Sequence, residues 1–178
     1  FGAVNPRDGE AAAAEVERIA KLGLRGVGEL HPDGQGYDLG DARLMAPVMD
    51  AARRLGLVVL VHSSEPTGHT YAGKGTVTPD VLARFIASFQ DNDIICAHWG
   101  GGLPFYALMP EVRDAIENVY FDTAASHLLY DPAVYRRVID AVGVRKILWG
   151  TDFPLTTQAK ALARTRDQQT QLVGAGDR

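Results

Sequence analysis

Cysteine is nearly absent from this sequence: Cys96 is the only one in 178 residues, so no disulfide can form within the chain. This composition is typical of a reducing compartment, and we predict a cytoplasmic protein. Long apolar runs are also missing, since none approaches the roughly 20 residues of a membrane-spanning helix. Neither charge dominates, with 18 Lys and Arg against 22 Asp and Glu. We therefore expect neither a membrane nor nucleic acid as a partner, and a small-molecule substrate instead.

Apolar runs typical of buried strands alternate with helical patterns along the whole chain. The predicted strands cover residues 1–4, 24–30, 57–62, 94–98, 119–123 and 146–150. The predicted helices cover residues 10–22, 42–55, 79–89, 104–116, 132–142 and 158–165. Strict alternation indicates a parallel α/β fold, either a doubly wound sheet or a barrel.

Two observations favour a TIM-type barrel. Residues suited to chemistry end several different strands, as they do in such barrels. No glycine-rich fingerprint joins the first strand to the first helix, and the GKG around Lys74 lacks the spacing of a phosphate loop. A closed (β/α)8 barrel needs eight strands and about 250 residues. We therefore expect one barrel domain over residues 1–178, with about six of its eight βα units, without the first two strands, and with a poorly specified tail at 166–178.

Three predicted strands deliver a residue that can bind metal or transfer a proton, either at the last position, as with His62 and His98, or two residues later, as with Asp152. Strand alternation predicts that each of these side chains lies directly above the inward-facing residues two and four positions earlier. The expected stacks are Leu60 and Val58 under His62, Cys96 and Ile94 under His98, and Gly150 and Leu148 under Asp152. Imidazole and carboxylate are common ligands of a catalytic divalent metal. The alternative for each one is a surface or capping residue, but the three together indicate an active site at one rim.

The segments VLVHSSEP, IICAHWGGG and ILWGTDFP resemble the later strands of the amidohydrolase superfamily, in its amidohydrolase-related branch of hydrolases and decarboxylases. The resemblance extends from residue 1 to residue 154 and makes the predicted strands the third to the eighth of the barrel. It implies that His62 is a metal ligand. It also implies that His98 ligates metal or activates water, and that Asp152 is a metal-bound carboxylate and proton shuttle. The implied cofactor is a divalent metal, with zinc as the expected ion. The family's His-x-His pair, which completes the metal site, has no counterpart in residues 1–178.

Glu29 is a further candidate metal ligand. It ends LRGVGEL, where some amidohydrolases place a metal-bridging group. Alternation places it on one face with Val27 and Arg25, and the alternative is a partly buried acid paired with Arg25 or a neighbouring Lys. His31 begins the next loop and could approach the same rim.

Further side chains are predicted to contact the substrate from the loops that follow the strands. These candidates are His69, Tyr71 and Lys74 in the long loop 63–78, Trp99 in the HWGGG turn, and His127 beyond the fifth predicted strand. The long loop could act as a lid that presents donors to an anionic substrate. A solvated loop, a tight turn and simple packing are the respective alternatives.

We thus predict a metal-dependent hydrolase that cleaves a C–N or C–O bond in a small carboxylate-bearing substrate. A metal-activated water would attack, with Asp152 or His98 as the proton acceptor. Decarboxylation, a metal-free lactonase and a non-catalytic fragment stay open as alternatives. The open edges of an incomplete barrel also predict self-association, and hence a homo-oligomer, or instability.

Overall fold

Five parallel strands form one sheet in the order in which they occur along the chain. The computed structural model describes residues 1–174, and the side chains of residues 1–167. The strands are β1 (Gly26–Leu30), β2 (Val58–Val61), β3 (Ile94–Cys96), β4 (Val119–Asp122) and β5 (Ile147–Leu148). Each pairs in parallel with the next, as consecutive strands of a TIM-type barrel do.

Helices connect the strands. The longer ones are α1 (Glu10–Lys21), α2 (Ala42–Leu55), α3 (Pro79–Ser88), α4 (Pro110–Ala115), α5 (Val134–Val142) and α6 (Gln158–Gly174). Helix α2 has sequence-encoded ends, because the Asp41 carboxylate accepts the N–H of Arg43 and of Leu44, and Gly56 ends the helix at φ 63°. Within residues 1–174, no helix combines the length and hydropathy needed to cross a membrane.

The two faces of the sheet differ in burial. On the outer face, side chains are fully buried and belong to one core with the helices; they are Val59, Val61, Ile94, Cys96, Val119 and Phe121. On the inner face, Val58, Leu60 and Tyr120 are only half-buried. The outer face and the helices therefore supply most of the hydrophobic core, and the inner face leads up to the rim where β2, β3 and β4 end.

Most predicted elements are confirmed, with corrections at the two ends and in the helix predicted over 104–116, where a 3-10 helix at Leu103–Leu108 precedes α4. Residues 1–4 do not form a strand: Gly2 makes a single parallel bridge to Val27. The last strand is shorter than predicted: a 3-10 turn at Val144–Lys146 includes its first predicted residue, and Trp149 and Gly150 lie beyond the end of Ile147–Leu148. Helix α6 continues through Gly174, so part of the predicted tail 166–178 is helical, while residues 175–178 lie outside the described residues.

Candidate metal and active site

A cavity of about 460 Å³ lies at the C-terminal ends of the strands. Its polar wall contains Glu29, His31, His62, His98 and Asp152, together with His69 and Tyr71 from the long loop; its apolar wall contains Ala125, Leu128, Leu129 and Leu155. Another cavity, of about 510 Å³, lies where β4 and β5 begin. That second cavity lacks all of the strand-terminal candidates, so the first one is the candidate active site.

His62 reaches this cavity as regular strand geometry predicts. It follows Val61 directly, on the same side of the chain as Leu60, and its imidazole is buried. Its ring contacts the His98 ring, with centroids 5.1 Å apart and planes at 72°. The prediction that these two imidazoles share one rim is therefore confirmed.

His98 reaches the cavity by a different route from the predicted one. Cys96 and Ile94 pair in register with Val61 and Val59, on the face that packs against the helices. A His98 that continued this alternation would point away from His62, so the predicted stack under His98 is wrong. The strand instead ends at Cys96, and the backbone turns left-handed at His98, with φ 54°. This turn redirects the imidazole into the cavity.

Asp122 at the end of β4 holds that turn in place. Its Oδ1 accepts the backbone N–H of His98 at 2.9 Å and the N–H of Ala124 at 3.0 Å. The carbonyl of Ala124 in turn lies 3.3 Å from Nδ1 of His98. Asp122 thus positions His98 through the backbone.

Glu29 enters the cavity because β1 contains a bulge. Val27 pairs with Val59 but Leu30 pairs with Val61, so β1 has one residue more than β2 across this interval. The extra residue breaks the alternation that would place Glu29 with Val27 on the helix face. The predicted shared face, and the alternative pairing with Arg25, are both wrong: the partner of Glu29 is His62.

The bulge depends on Gly28. Its φ is 127°, and a Cβ at this position would lie 2.4 Å from the carbonyl oxygen of Leu60. An L-amino acid with a side chain would therefore be both strained and in contact with the neighbouring strand.

Three donor atoms converge in the cavity. The Oε1 atom of Glu29 lies 2.9 Å from Nδ1 of His62 and 3.6 Å from Nε2 of His98. Ligands of a tetrahedral zinc at about 2.0–2.1 Å lie roughly 3.3 Å apart, a value between these two separations. Each imidazole also places its other nitrogen on a backbone carbonyl, Gly73 at 3.1 Å for His62 and Ala124 at 3.3 Å for His98. Metal-binding histidines are typically oriented in this way, so the residues present fit a divalent metal.

The same contacts perturb the acid–base properties of the site. Burial opposes the charge on Glu29, but hydrogen bonds from His62 and His98 outweigh it and lower the pKa of Glu29 to about 2. Burial also opposes a charged His98, yet its hydrogen bond to Glu29 and the charges of Asp122 and Asp152 raise the His98 pKa to about 9. Without metal, Glu29 and His98 are therefore a carboxylate and an imidazolium at neutral pH.

The comparison with known proteins identifies the family of this chain. The sequence matches the profile of the amidohydrolase family over residues 1–173. The chain belongs to the amidohydrolase family. It is 30% identical over 126 residues to the dihydroorotase of Vibrio vulnificus strain YJ016, which covers 67% of this chain and 35% of the dihydroorotase. The chain thus spans about a third of the length of that relative.

Solved structures show the same fold as this amidohydrolase chain. The 5-carboxyvanillate decarboxylase of Sphingomonas paucimobilis is 20% identical, with a TM-score of 0.69 over 93% of this chain and 59% of that one. An uncharacterised TIM-barrel protein of Bordetella bronchiseptica is 18% identical, with a TM-score of 0.68 over 93% and 58%. A dihydroxybenzoic acid decarboxylase of Polaromonas sp. JS666, with bound manganese and the inhibitor 2-nitroresorcinol, is 19% identical, with a TM-score of 0.62 over 88% and 58%. The predicted family and TIM-type barrel are confirmed.

Asp152 lines the cavity of this amidohydrolase but does not belong to the group of three donors. That group consists of Glu29, His62 and His98, whose ligand atoms lie within 4.8 Å of one another. Asp152 has a left-handed backbone, with φ 58°, and its charge acts on His98. Its role as a metal ligand stays a prediction.

Three of the predicted substrate contacts lie away from the cavity wall. Trp99 is fully buried and donates from Nε1 to the Ser126 hydroxyl at 2.7 Å, so it is a packing residue. Lys74 donates from Nζ to backbone carbonyls within its own loop, at 2.6 Å and 3.2 Å. His127 contacts the Thr156 hydroxyl at 3.3 Å and lines a separate small cavity. His69 and Tyr71 do line the main cavity, and their contact with substrate stays a prediction.

One residue that sequence reasoning passed over supports His62. The Ser64 hydroxyl lies 3.3 Å from Nε2 of His62 and accepts the N–H of Gly75 at 2.8 Å. Ser64 therefore links the long loop to the candidate ligand. The sequence could have indicated this role, because Ser64 stands two residues after His62 and short polar side chains at strand ends commonly hydrogen-bond to the following loop.

Proposed function

We propose that this chain holds a divalent metal with Glu29, His62 and His98 and hydrolyses a C–N or C–O bond in a small carboxylate-bearing substrate. The convergence of one carboxylate and two imidazoles at the C-terminal rim of a barrel sheet carries the proposal. A bound metal would lower the pKa of a water molecule and polarise a carbonyl group. Zinc is our proposed ion because the ligands are nitrogen and oxygen atoms, and the manganese of the Polaromonas enzyme makes manganese the alternative.

The chain's own residues would divide the remaining work. Glu29 neutralises positive charge and orients both imidazoles through its Oε1 atom. Nδ1 of His98 is held on the Ala124 carbonyl, so Nε2 is the atom that would bind the metal or, in the alternative role without metal, transfer a proton. Asp152 lines the same cavity and is our proposed proton acceptor. The Leu128, Leu129 and Leu155 side chains would exclude water from the apolar part of the substrate.

Decarboxylation is the second candidate function, and one observation favours it. Loss of CO₂ leaves a carbanion that must be protonated, and the raised pKa of a His98 that holds no metal makes this imidazole a proton donor at neutral pH. Two of the solved structures with this fold are described as decarboxylases, which agrees with this alternative.

Metal binding and activity distinguish these proposals. The purified chain, stripped with a chelator, should bind Zn²⁺ or Mn²⁺ in a calorimetric titration and should then hydrolyse cyclic amides or lactones that bear a carboxylate. Release of CO₂ from dihydroxybenzoates would instead support decarboxylation. Hydrolysis that survives the chelator would support a metal-free lactonase, and a chain that binds no metal would contradict the proposed function.

The binding partner, the cellular location and the oligomeric state are also proposals. We propose a small molecule as the partner, because the candidate site is a concave cavity of about 460 Å³ with both polar and apolar walls. A cytoplasmic location is consistent with Cys96, which is buried and free. Self-association into a homo-oligomer would be tested by the molecular mass in solution.

A further inference from the structure

We propose that His31 determines substrate specificity in this cavity, by donating a hydrogen bond from Nε2–H to the carboxylate of the bound substrate. The inference rests on the proposed function, because it assumes that a carboxylate-bearing molecule enters the cavity. It goes beyond that function in naming the group that recognises the carboxylate.

The position of His31 is the first support. It follows β1 directly, two residues after Glu29, and lines the cavity. Its ring is stacked on the His62 ring, with centroids 4.2 Å apart and planes at 17°. The imidazole is half-buried, so its orientation relative to the candidate metal site is fixed by packing.

The backbone around His31 determines which ring nitrogen carries the proton. Nδ1 accepts the backbone N–H of Gly34 at 3.0 Å. A nitrogen that accepts a hydrogen bond must present its lone pair, so the proton of the neutral ring sits on Nε2. Gly34 thus makes Nε2 of His31 a donor.

Neighbouring residues hold this arrangement rigidly. The backbone N–H of His31 donates to the side-chain carbonyl of Gln35 at 2.9 Å, and the Gln35 amide donates to the Val4 carbonyl at 2.7 Å. The carbonyl of His31 accepts the backbone N–H of Gln35 at 2.8 Å. A donor fixed in this way loses little conformational entropy when a ligand binds.

The other cavity imidazoles are less suited to this role. Both ring nitrogens of His62 and of His98 have partners already. His69 is exposed on the long loop, and the Tyr71 hydroxyl donates to Glu65 at 2.9 Å. Among the described residues, no hydrogen bond is found to Nε2 of His31, and that atom is not sealed from solvent. A carboxylate beside the metal site would therefore find its donor at His31.

Two variants of His31 distinguish the role of Nδ1 as an acceptor from the role of Nε2 as a donor. His31→Asn keeps an oxygen near the position of Nδ1 for the Gly34 N–H but removes the Nε2 donor. His31→Gln carries an amide N–H near the position of Nε2. The probes are 2,6-dihydroxybenzoate and resorcinol, which differ by the carboxylate, and each is titrated calorimetrically into the metal-loaded full chain. Zinc affinity and thermal unfolding are measured on every variant.

We expect His31→Asn to weaken 2,6-dihydroxybenzoate about tenfold or more, because a hydrogen bond to a charged group is lost, and to leave resorcinol and zinc binding unchanged. His31→Gln should restore part of the loss. The inference would be overturned if His31→Asn weakened the binding of both probes equally or of neither probe. It would also be overturned if His31→Gln restored no affinity, or if the wild-type chain bound neither probe. Zinc binding tests the proposed function separately, so a failure of His31 and a failure of the metal site are distinguishable.

Discussion

Replacing Glu29 by glutamine tests the central feature of the site, because it removes one charge and keeps the shape of the side chain. Oε1 of Glu29 contacts both His62 and His98, at 2.9 Å and 3.6 Å. Glutamine can place an oxygen or an amide nitrogen there, but it cannot neutralise an imidazolium or serve as an anionic metal ligand.

The size of the effect follows from the pKa of His98. Its rise from 6.5 to about 9 corresponds to about 3 kcal/mol of preference for the charged imidazole. The hydrogen bond to Glu29 is the largest favourable contribution, and the charges of Asp122 and Asp152 would remain in the variant. We therefore expect the His98 pKa in Glu29→Gln to fall from about 9 toward its ordinary value, and zinc affinity to fall about 100-fold or more because a proposed ligand is lost.

Two measurements check this prediction. Ring-nitrogen NMR of the metal-free chain gives the pKa of His98. The titration covers roughly pH 5 to pH 10, so that it includes both the ordinary histidine pKa and the raised one. Calorimetry gives the zinc affinity. Glu111→Gln is the matched control, since Glu111 is an exposed acid on α4 with the same change of charge. If Glu29→Gln left both quantities at their wild-type values, the carboxylate would be neither the cause of the raised pKa nor a ligand.

Three further predictions concern the same region. His98→Ala separates the two roles of this imidazole: zinc affinity should fall about tenfold or more if it is a ligand, whereas activity alone should fall if it transfers protons. The metal-free chain should lose stability as the pH rises from 6.5 through about 9, because the His98 pKa is raised in the folded state. It should also lose stability as the pH falls from 4.5 through about 2, because the Glu29 pKa is lowered in the folded state. Urea unfolding at a series of pH values would measure both losses. Gly28→Ala should cost about 1–3 kcal/mol or more in urea unfolding, since its Cβ would lie 2.4 Å from the carbonyl oxygen of Leu60, while Gly143→Ala, at φ 86° with nothing within 4 Å, should show the cost of φ alone.

The regular parts of this structure could be predicted from the sequence, because they depend on local pattern. The unbroken apolar run before His62 predicts a strand, and simple alternation then aims His62 correctly. The ends of α2 follow from Asp41 and Gly56 in the same local way. The direction of Glu29 could not be predicted, because a bulge is defined by pairing with a distant strand, and a glycine in a strand does not by itself locate one.

Irregular backbone is what brings these groups together, and its cost must be offset by contacts elsewhere. Regular alternation would point His98 toward the helices, so convergence needs a left-handed residue, which costs about 1–2 kcal/mol when it is not glycine. His98 and Trp99 are two such residues in succession. Asp122 accepts the N–H of His98, and Ser126 accepts the indole N–H of Trp99, whose ring is fully buried. Trp99 therefore acts as the anchor of the turn that aims His98, which explains why a tryptophan beside a candidate catalytic residue need not contact the substrate.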